Sequence, residues 1–555
     1  MLALALAFAT SSAHAGSWAP GTEINPAGAV DITPEGLDAV TAILPAFVPS
    51  RIDIDDVSDW PGSCFFNVGY GISGLWVGVQ IQDASITPQN GVLLFEADLL
   101  VNVNDNSDPF SLEYDLSCIS GSCEAWVTPF PVHISTTIGL GVVTNGDGTR
   151  SLDASVGTIT VDYGLSGDNL DSSDCSTILD IADTLGLIDT LIDQVTGPLQ
   201  DTIDSLAPTI ETTIEDAFAS ANISQDLDLN GVTAHITLSP SDVTISPSGV
   251  RVNLAGSVVA DAADCVSAWD PGGSLATPSG LPTLGEAPSG VDSPFHAGLS
   301  LSDDFANQAV YALWRGGLLC YTVEPGGKIP LDTSILNLLT GQAFAELFPE
   351  SQPLVLVTSP KKAPTVSYDG THDVDINVEQ LGIDMYAELD GRQARVISVE
   401  LEGPIGADLA FDGATGNLGV NLDIAADNLT PSLGWNEFYP DQSETILAAF
   451  SSSFGSLVEQ LIGGLIPDIA FALPSMSGVG LQELDVAPTG SNLDWLGAYA
   501  WIGAVTYGDG SSGCGSCGGD TGSDCSGGCS SQGPLPPYAP ALLVLGVAVG
   551  LRRRR

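Results

Sequence analysis

Two hydrophobic periods alternate along the chain, and their order predicts its elements. After Thr33-Pro34-Glu35, the apolar residues Leu37, Val40, Ile43, Leu44, Phe47 and Val48 recur every three or four positions, the spacing of one helix face. Thr33 suits the N-cap, Pro34 the first turn, and Glu35 the positive end of the helix dipole. Pro49-Ser50 ends the segment. From residue 65 to 163 the period drops to two: Val77, Val79 and Ile81 alternate, and 92–95 and 97–103 continue the apolar theme. Turn residues punctuate the run at Gln89-Asn90-Gly91, at 104–108 and at Asn145-Gly146-Asp147-Gly148, which predicts a meander of antiparallel strands. The helical period then returns at length, through Ile178, Ala182, Leu185, Ile188, Ile192, Val195, Leu199, Ile203, Leu206, Ile210, Ile214 and Phe218. Pro198 and Pro208 bend or interrupt this helix. Strands resume at 227–229, 232–238, 243–245 and 250–259.

A stretch rich in Pro, Gly and Ser, 269–294, breaks the pattern, and a second round follows. Ser302 caps a helix carrying Phe305, Ala309, Leu313 and Trp314 that ends at Gly316-Gly317. Alternating segments come next, among them Val374/Ile376/Val378, 396–401, Leu409/Phe411 and Leu418/Val420/Leu422. A long amphipathic helix through Ile446, Leu447, Phe450, Phe454, Leu457, Val458, Leu461 and Leu465 precedes closing strands at 481–486 and 495–505. Short helix, meander, long helix and return strands thus occur twice, an internal duplication of architecture.

Charge narrows the function classes. The 555 residues include 69 acidic and 13 basic side chains, a formal charge of −56, and four of the basic ones are Arg552 to Arg555. Such a surface repels phosphate backbones, which excludes nucleic acid as a partner. No His-Glu-x-x-His, Gly-x-Ser-x-Gly or phosphate-cradling loop is present, so neither an enzyme nor a cofactor is expected. Residues 226–231 open like a calcium loop, but Thr237 stands where the closing Glu belongs, and the Leu alternation suits a strand entering a turn. Asn104, Asn106 and Asp108 offer a second loose set of oxygen ligands.

The ends speak of export. Residues 1–15 are apolar and close on Ala13-His14-Ala15, a signal-peptide pattern without the usual basic start. Residues 508–534 form a Gly/Ser/Cys-rich stalk with Cys514, Cys517, Cys525 and Cys529, and 535–555 carry an apolar run closed by the arginines. That run reads as a membrane anchor with its C-terminus on the cytoplasmic side. Zinc is the competing reading of the Cys-x2-Cys and Cys-x3-Cys spacings. Six cysteines lie in the body, Cys64, Cys118, Cys123, Cys175, Cys265 and Cys320, an even number that favours disulfides in an exported chain. Cys118 and Cys123 flank the short loop Ile119-Ser120-Gly121-Ser122 and are placed to close a hairpin; the other pairings stay open.

The order of elements resembles that of the BPI/lipopolysaccharide-binding/lipid-transfer family, whose fold is the tubular lipid-binding (TULIP) barrel. The residues that carry the resemblance are Ile32-Thr33-Pro34-Glu35-Gly36-Leu37-Asp38 with 52–59 behind them, and Gly298-Leu299-Ser300-Leu301-Ser302-Asp303-Asp304-Phe305-Ala306-Asn307-Gln308-Ala309, ending in Arg315-Gly316-Gly317-Leu318-Leu319. The resemblance implies an α+β fold of two tandem barrels, each a highly curved antiparallel sheet wrapped on a long amphipathic helix, joined by a Pro/Gly-rich connector. The divisions would be 1–15 signal peptide, 28–262 first barrel, 263–295 connector, 296–507 second barrel, 508–534 stalk and 535–555 anchor. It further implies apolar tubes that hold phospholipid or another acyl-chain lipid, lined by Leu37, Val40, Leu44, Ile188, Ile192, Val195, Leu199, Ile203, Leu206, Phe305, Leu313, Phe450, Phe454, Leu457 and Leu461. The tail resembles the MYXO-CTERM class of sorting signals, which implies a sortase-like processing protease, an anchor on Cys525 or Cys529, and a place on a bacterial outer membrane or cell surface.

Two departures limit the likeness. No cysteine lies well inside the first long helix, so the family's helix-to-sheet disulfide is not carried over. The cationic tip of the lipopolysaccharide-binding members is missing, with Arg51 alone in that region. Burying an acyl chain of about 14 carbons gains on the order of 11 kcal/mol gross, at roughly 0.8 kcal/mol per CH2. A headgroup ion pair at a wet mouth contributes at most about 1 kcal/mol. An acidic protein can therefore hold lipid by its tails and is expected to prefer neutral or zwitterionic lipids, or anionic ones bridged by a divalent cation. The helix stripes could instead pack solid cores, and a β-rich surface adhesion or structural module is the alternative reading of the whole chain.

Overall fold

The computed structural model describes residues 16–17, 21–41, 51–54, 56–60, 68–116, 119–165, 169–173, 196–197, 200, 204, 207–208, 211–212, 215, 223–229, 231–266, 274–275, 280–325, 331–423, 428–462, 469–472 and 479–504. The fold is mostly β with few helices, and three antiparallel sheets carry most of it.

The sheet in the middle has seven strands: β1 (Ile24–Ile32), β2 (Ile223–Leu229), β3 (Val232–Ser246), β4 (Gly249–Ala260), β5 (Ala297–Ser302), β6 (Val479–Thr489) and β7 (Trp495–Ala504). Their order, β2-β3-β4-β1-β5-β7-β6, is close to symmetric about the β1–β5 contact, where Gly28 faces Leu301 and Ile32 faces Ala297. Outward on each side lies the closing strand of one half, β4 or β7, and then its hairpin partner, β3 or β6. The duplication read from the element order is thus expressed in one shared sheet. The two halves are fused by main-chain hydrogen bonds between β1 and β5 rather than only joined in series.

Helix α1 (Pro34–Thr41) leaves β1 and helix α2 (Asp303–Arg315) leaves β5, both at the expected caps. The Gly36 amide donates to Thr33 Oγ1 at 3.2 Å, and the Phe305 amide donates to Ser302 Oγ at 3.2 Å, each satisfying one orphan amide of the first turn. The cap hydroxyls are also reciprocal across the seam: Thr33 donates to the Phe295 carbonyl before β5, and Ser302 to the Ala27 carbonyl of β1 at 3.1 Å. Gly317, at φ +89°, takes the left-handed position after α2, where a side chain would be strained. Helix α3 (Thr333–Leu339), capped by Asp332, forms where no element was expected, and helix α4 (Ser443–Ile462) overlaps the second long periodic segment. Of the first long segment, positions 196–197, 200, 204, 207–208, 211–212 and 215 are helical, and its remaining residues lie outside those described.

Each half adds a curled sheet of its own. The first has ten strands between residues 51 and 173, built on the 26-residue strand Ile119–Thr144. The second has eight strands between 322 and 472, built on the pair Val374–Leu389 and Arg392–Asp412. Register shifts at Ile81/Asp83 and Val101/Val103 in the first, and at Val378/Leu381 and Met385/Tyr386 in the second, are bulges that bend and twist long strands. The outer edge of Arg150–Val156 is covered: the amides of Val156 and Ala154 donate to the carboxylates of Glu211 (2.7 Å) and Glu215 (3.3 Å) from helical positions. Pairing edge amides in this way protects the strand from adding a foreign one.

The stretch read as a connector is tied down at two points. Cys265 is bonded to Cys320, a pairing the sequence left open, and the Pro282 carbonyl accepts from Arg251 Nη1 at 2.6 Å. Arg251 of β4 also grips Asp31 of β1 with two hydrogen bonds, Nε–Oδ1 2.7 Å and Nη2–Oδ2 2.6 Å, and both side chains are buried. Cys123 is likewise disulfide-bonded, to a cysteine outside the described residues; Cys118, its expected partner, lies outside them too.

Candidate functional site

The side chains that cover the sheets sort into separate packed clusters. Leu37 of α1 packs with Leu93, Ile138, Ile245 and Val250. Phe305 and Leu313 of α2 lie together on the middle sheet against Val30, Leu238, Leu254 and Val258. Phe450 of α4 packs with Ile446, Leu336, Phe344 and Val399 in the second curled sheet. The structure therefore brings Phe305 and Leu313 together and keeps Leu37 and Phe450 in two other clusters. Of Val40, Phe454, Leu457 and Leu461 only the backbone is described; Leu44, Ile188, Ile192, Val195, Leu199, Ile203, Leu206, Cys525 and Cys529 lie outside the described residues, as do the segments read as signal peptide, stalk and anchor.

Between the clusters, the inner face of the second curled sheet stays apolar but is in part only half-buried. Along Arg392–Asp412, the odd positions Ile397, Val399, Leu401, Ile405, Ala407, Leu409 and Phe411 share one face, as period two requires. The first three are fully buried in the α3–α4 cluster, while Phe411 and Leu418 pack against Leu481, Leu484 and Ala500 of β6 and β7. The stretch between is different: Ala407 is buried and Ile405 packs at the margin of the α3–α4 cluster, while Leu409, its cross-strand partner Val420 and Ile376 are half-buried. The first sheet differs: on Trp76–Pro88, the half-buried Val79, Ile81 and Ala84 pack against that sheet's own main cluster and Ile86 packs against the Leu37 cluster. These positions lie on strands, whereas the expected lining lay on helices. The available signal was the alternation itself, which marks one face as apolar without saying how far that face is covered.

Polar chemistry is largely spoken for. His133 Nδ1 lies 2.8 Å from Asp98, directly opposite it in the ladder, and His235 Nδ1 lies 2.8 Å from Asp226 in the same relation. His372 sits between Asp408 and Asp423, and this carboxylate pairing raises its pKa. His296 Nδ1 accepts the Ile502 amide at 2.9 Å, which places its proton on Nε2. Both calcium candidates are used within the protein. Residues 223–229 form a strand, with Asp226 on His235 and Asp228 accepting from Thr233. Asn104 is buried and bonds Trp76 N, Gly74 O and Asp108 O. Among the described residues no group of three His, Cys, Asp or Glu is arranged to hold a metal ion.

Several of the cations among the described residues face carboxylates. Arg51 binds Asp53 and Asp108 and stacks on Trp76 at 4.5 Å, Arg150 binds Glu23, Lys361 binds Glu400, Lys362 binds Glu379 and Arg395 lies 3.6 Å from Asp384.

No family model matches the chain, and no curated protein matches it. Among solved structures it is similar to lipopolysaccharide binding protein, at 15% identity over 87% of this chain and 100% of the other, with a TM-score of 0.44. It is similar to P47 of Clostridium botulinum E1 at 7% identity over 87% and 100%, with a TM-score of 0.29. Takeout 1 of Epiphyas postvittana aligns over 31% of this chain and 90% of its own, at 12% identity and a TM-score of 0.19. All three TM-scores lie below 0.5.

Proposed function

We propose that this protein binds acyl-chain lipid on the inner face of its second curled sheet. The observation that carries the reading is the half-buried apolar group Ile376, Leu409 and Val420, which lies between two packed clusters and belongs to neither. A protein interior normally closes over such a group, and covering it with methylenes gains roughly 0.8 kcal/mol per CH2. The guest is uncharged or zwitterionic in its headgroup, because Arg51, Arg150, Lys361, Lys362 and Arg395 already face carboxylates. The role is binding rather than catalysis.

Export and surface anchoring belong to the same proposal, through residues 1–15 and 535–555 with Cys525 or Cys529 as the processed anchor site. The Cys265–Cys320 bond supports it, since such bridges persist in oxidising compartments. Surface labelling of cells and mass spectrometry of the mature termini test this half; a protein confined to the cytosol with both ends intact would end it.

For the lipid reading, the purified protein is extracted and the extract examined by mass spectrometry, beside the double variant Leu409→Asp/Val420→Asp. The wild type is expected to release acyl lipid, and the double variant, less stable because its two carboxylates stand opposite each other but still showing a cooperative melt, much less. Folded wild type that yields no lipid and takes up none from vesicles would remove the proposal.

A further inference from the structure

The start of α2 gathers acidic groups where three elements meet. Asp304 is 2% exposed, and its Oδ2 is buried without a hydrogen-bond partner. Asp303 precedes it, and the Asp303 amide donates to the Asp494 carbonyl at 2.9 Å in the turn before β7. From the second curled sheet comes the short strand Thr365–Ser367, held to α2 by the Asn307 side chain, which accepts from Val366 N at 2.6 Å and donates to Val366 O at 3.1 Å. Buried Tyr368 and the carboxylate of Asp369 follow that strand.

The groups acting on this spot are of one sign. Asp303 and Asp494 act on Asp304, Asp494 and Asp369 act on Asp303, and Asp303 acts on Tyr368. The positive end of α2 favours an anion here. It is outweighed: burial first, and then the neighbouring carboxylates, push Asp304 up to about 7 and Asp303 up to about 6.

We propose that Asp303 and Asp304, set beside the Asp494 carboxylate, form a proton-operated latch, which holds the start of α2 between the middle sheet and the second curled sheet when the two are protonated and loosens that junction when they ionise. The direction of the pH effect follows from linkage. Below about pH 4 Asp303 and Asp304 are protonated in folded and unfolded chains alike and contribute no pH dependence. Between about 4 and 7 the unfolded chain has released protons that the folded one keeps, so stability falls as pH rises, and above about 7 the whole penalty is present. The latch stands independently of the lipid reading, because it needs only the junction.

The test follows thermal unfolding and hydrogen exchange of the full chain from pH 5 to pH 8.5. The wild type is expected to melt lower as pH rises, and exchange at the Phe305 and Val366 amides, corrected for its intrinsic rate, to quicken by about tenfold or more across that range. Asp304→Asn keeps the shape without the charge, and is expected to flatten both trends and melt above the wild type at pH 8. Asp494→Asn removes one neighbouring charge and is expected to move the fall to lower pH; it decides the matter if Asp304→Asn does not fold. The proposal is overturned if Asp304→Asn keeps the wild-type slope, if Asp494→Asn leaves the fall in place, or if calcium abolishes the fall in the wild type, which would make the cluster a cation site.

Discussion

Helices α1 and α2 leave equivalent points of one sheet and are seated by opposite means. Their caps match: Thr33 and Ser302 each hold the third helical amide and each reach across the seam to the other half's backbone. The third helical residue does not match. In α1 it is Gly36, where a Cβ would stand 2.1 Å from the His296 carbonyl oxygen; in α2 it is Phe305, a buried ring on β3 and β4. Two residues before the caps the contrast continues. Asp31 makes a buried ion pair with Arg251, while Ser300 is a small buried hydroxyl. The α1 side is held by close backbone approach and one desolvated pair. The α2 side is held by a ring, by Gln308 (accepting from Val258 N at 2.7 Å and donating to Thr22 O at 2.7 Å), and by Trp314 donating to Pro360 O. A duplicated backbone plan thus fixes where a helix starts, and leaves each copy free to choose the chemistry that seats it. Only the α2 copy places a buried, unpartnered carboxyl in its first turn.

Substitutions at paired positions break or sharpen this contrast. Arg251→Ala strands the Asp31 carboxylate and is expected to cost about 3–5 kcal/mol in denaturant unfolding, with no counterpart at Ser300. Phe305→Ala opens a void and is expected to cost about 3–5 kcal/mol; a near-zero change would show that the ring faces a guest instead of the sheet. Gly36→Ala drives a methyl into a main-chain oxygen and is expected to cost about 1–3 kcal/mol, the reverse of the usual gain for Gly to Ala in a helix. Thr33→Ala and Ser302→Ala are expected to cost about 1 kcal/mol each; unequal losses would show that the reciprocal seam bonds differ in strength.

Much of this plan was readable in advance. Thr33-Pro34-Glu35 and Ser302 start helices where capping chemistry says they should, Gly316-Gly317 ends α2, and the alternation at 374–378 and 396–401 marks strands. These signals are local, set by near neighbours in the chain. The candidate site was less legible. Phe305 is apolar at helical spacing whether it lines a tube or fills a core, and it belongs to a packed cluster on the middle sheet. Leu409 and Val420 alternate like any strand residues, and their partial exposure depends on where two clusters far apart in sequence stop. The Cys265–Cys320 pairing and the Arg251–Asp31 grip, whose partners stand 55 and 220 positions apart in the chain, had no local trace.

The sequence by itself determined where α1 and α2 begin, which stretches alternate as strands, and the scarcity of cations, because periodicity, capping and charge are properties of short stretches or of the whole composition. Only the tertiary structure decided that the halves share one sheet, which apolar faces stay half-covered, and that Asp304 is enclosed without a partner. Burial and pairing are set by segments that meet in space, and side chains identical in type differ in energy according to what closes over them.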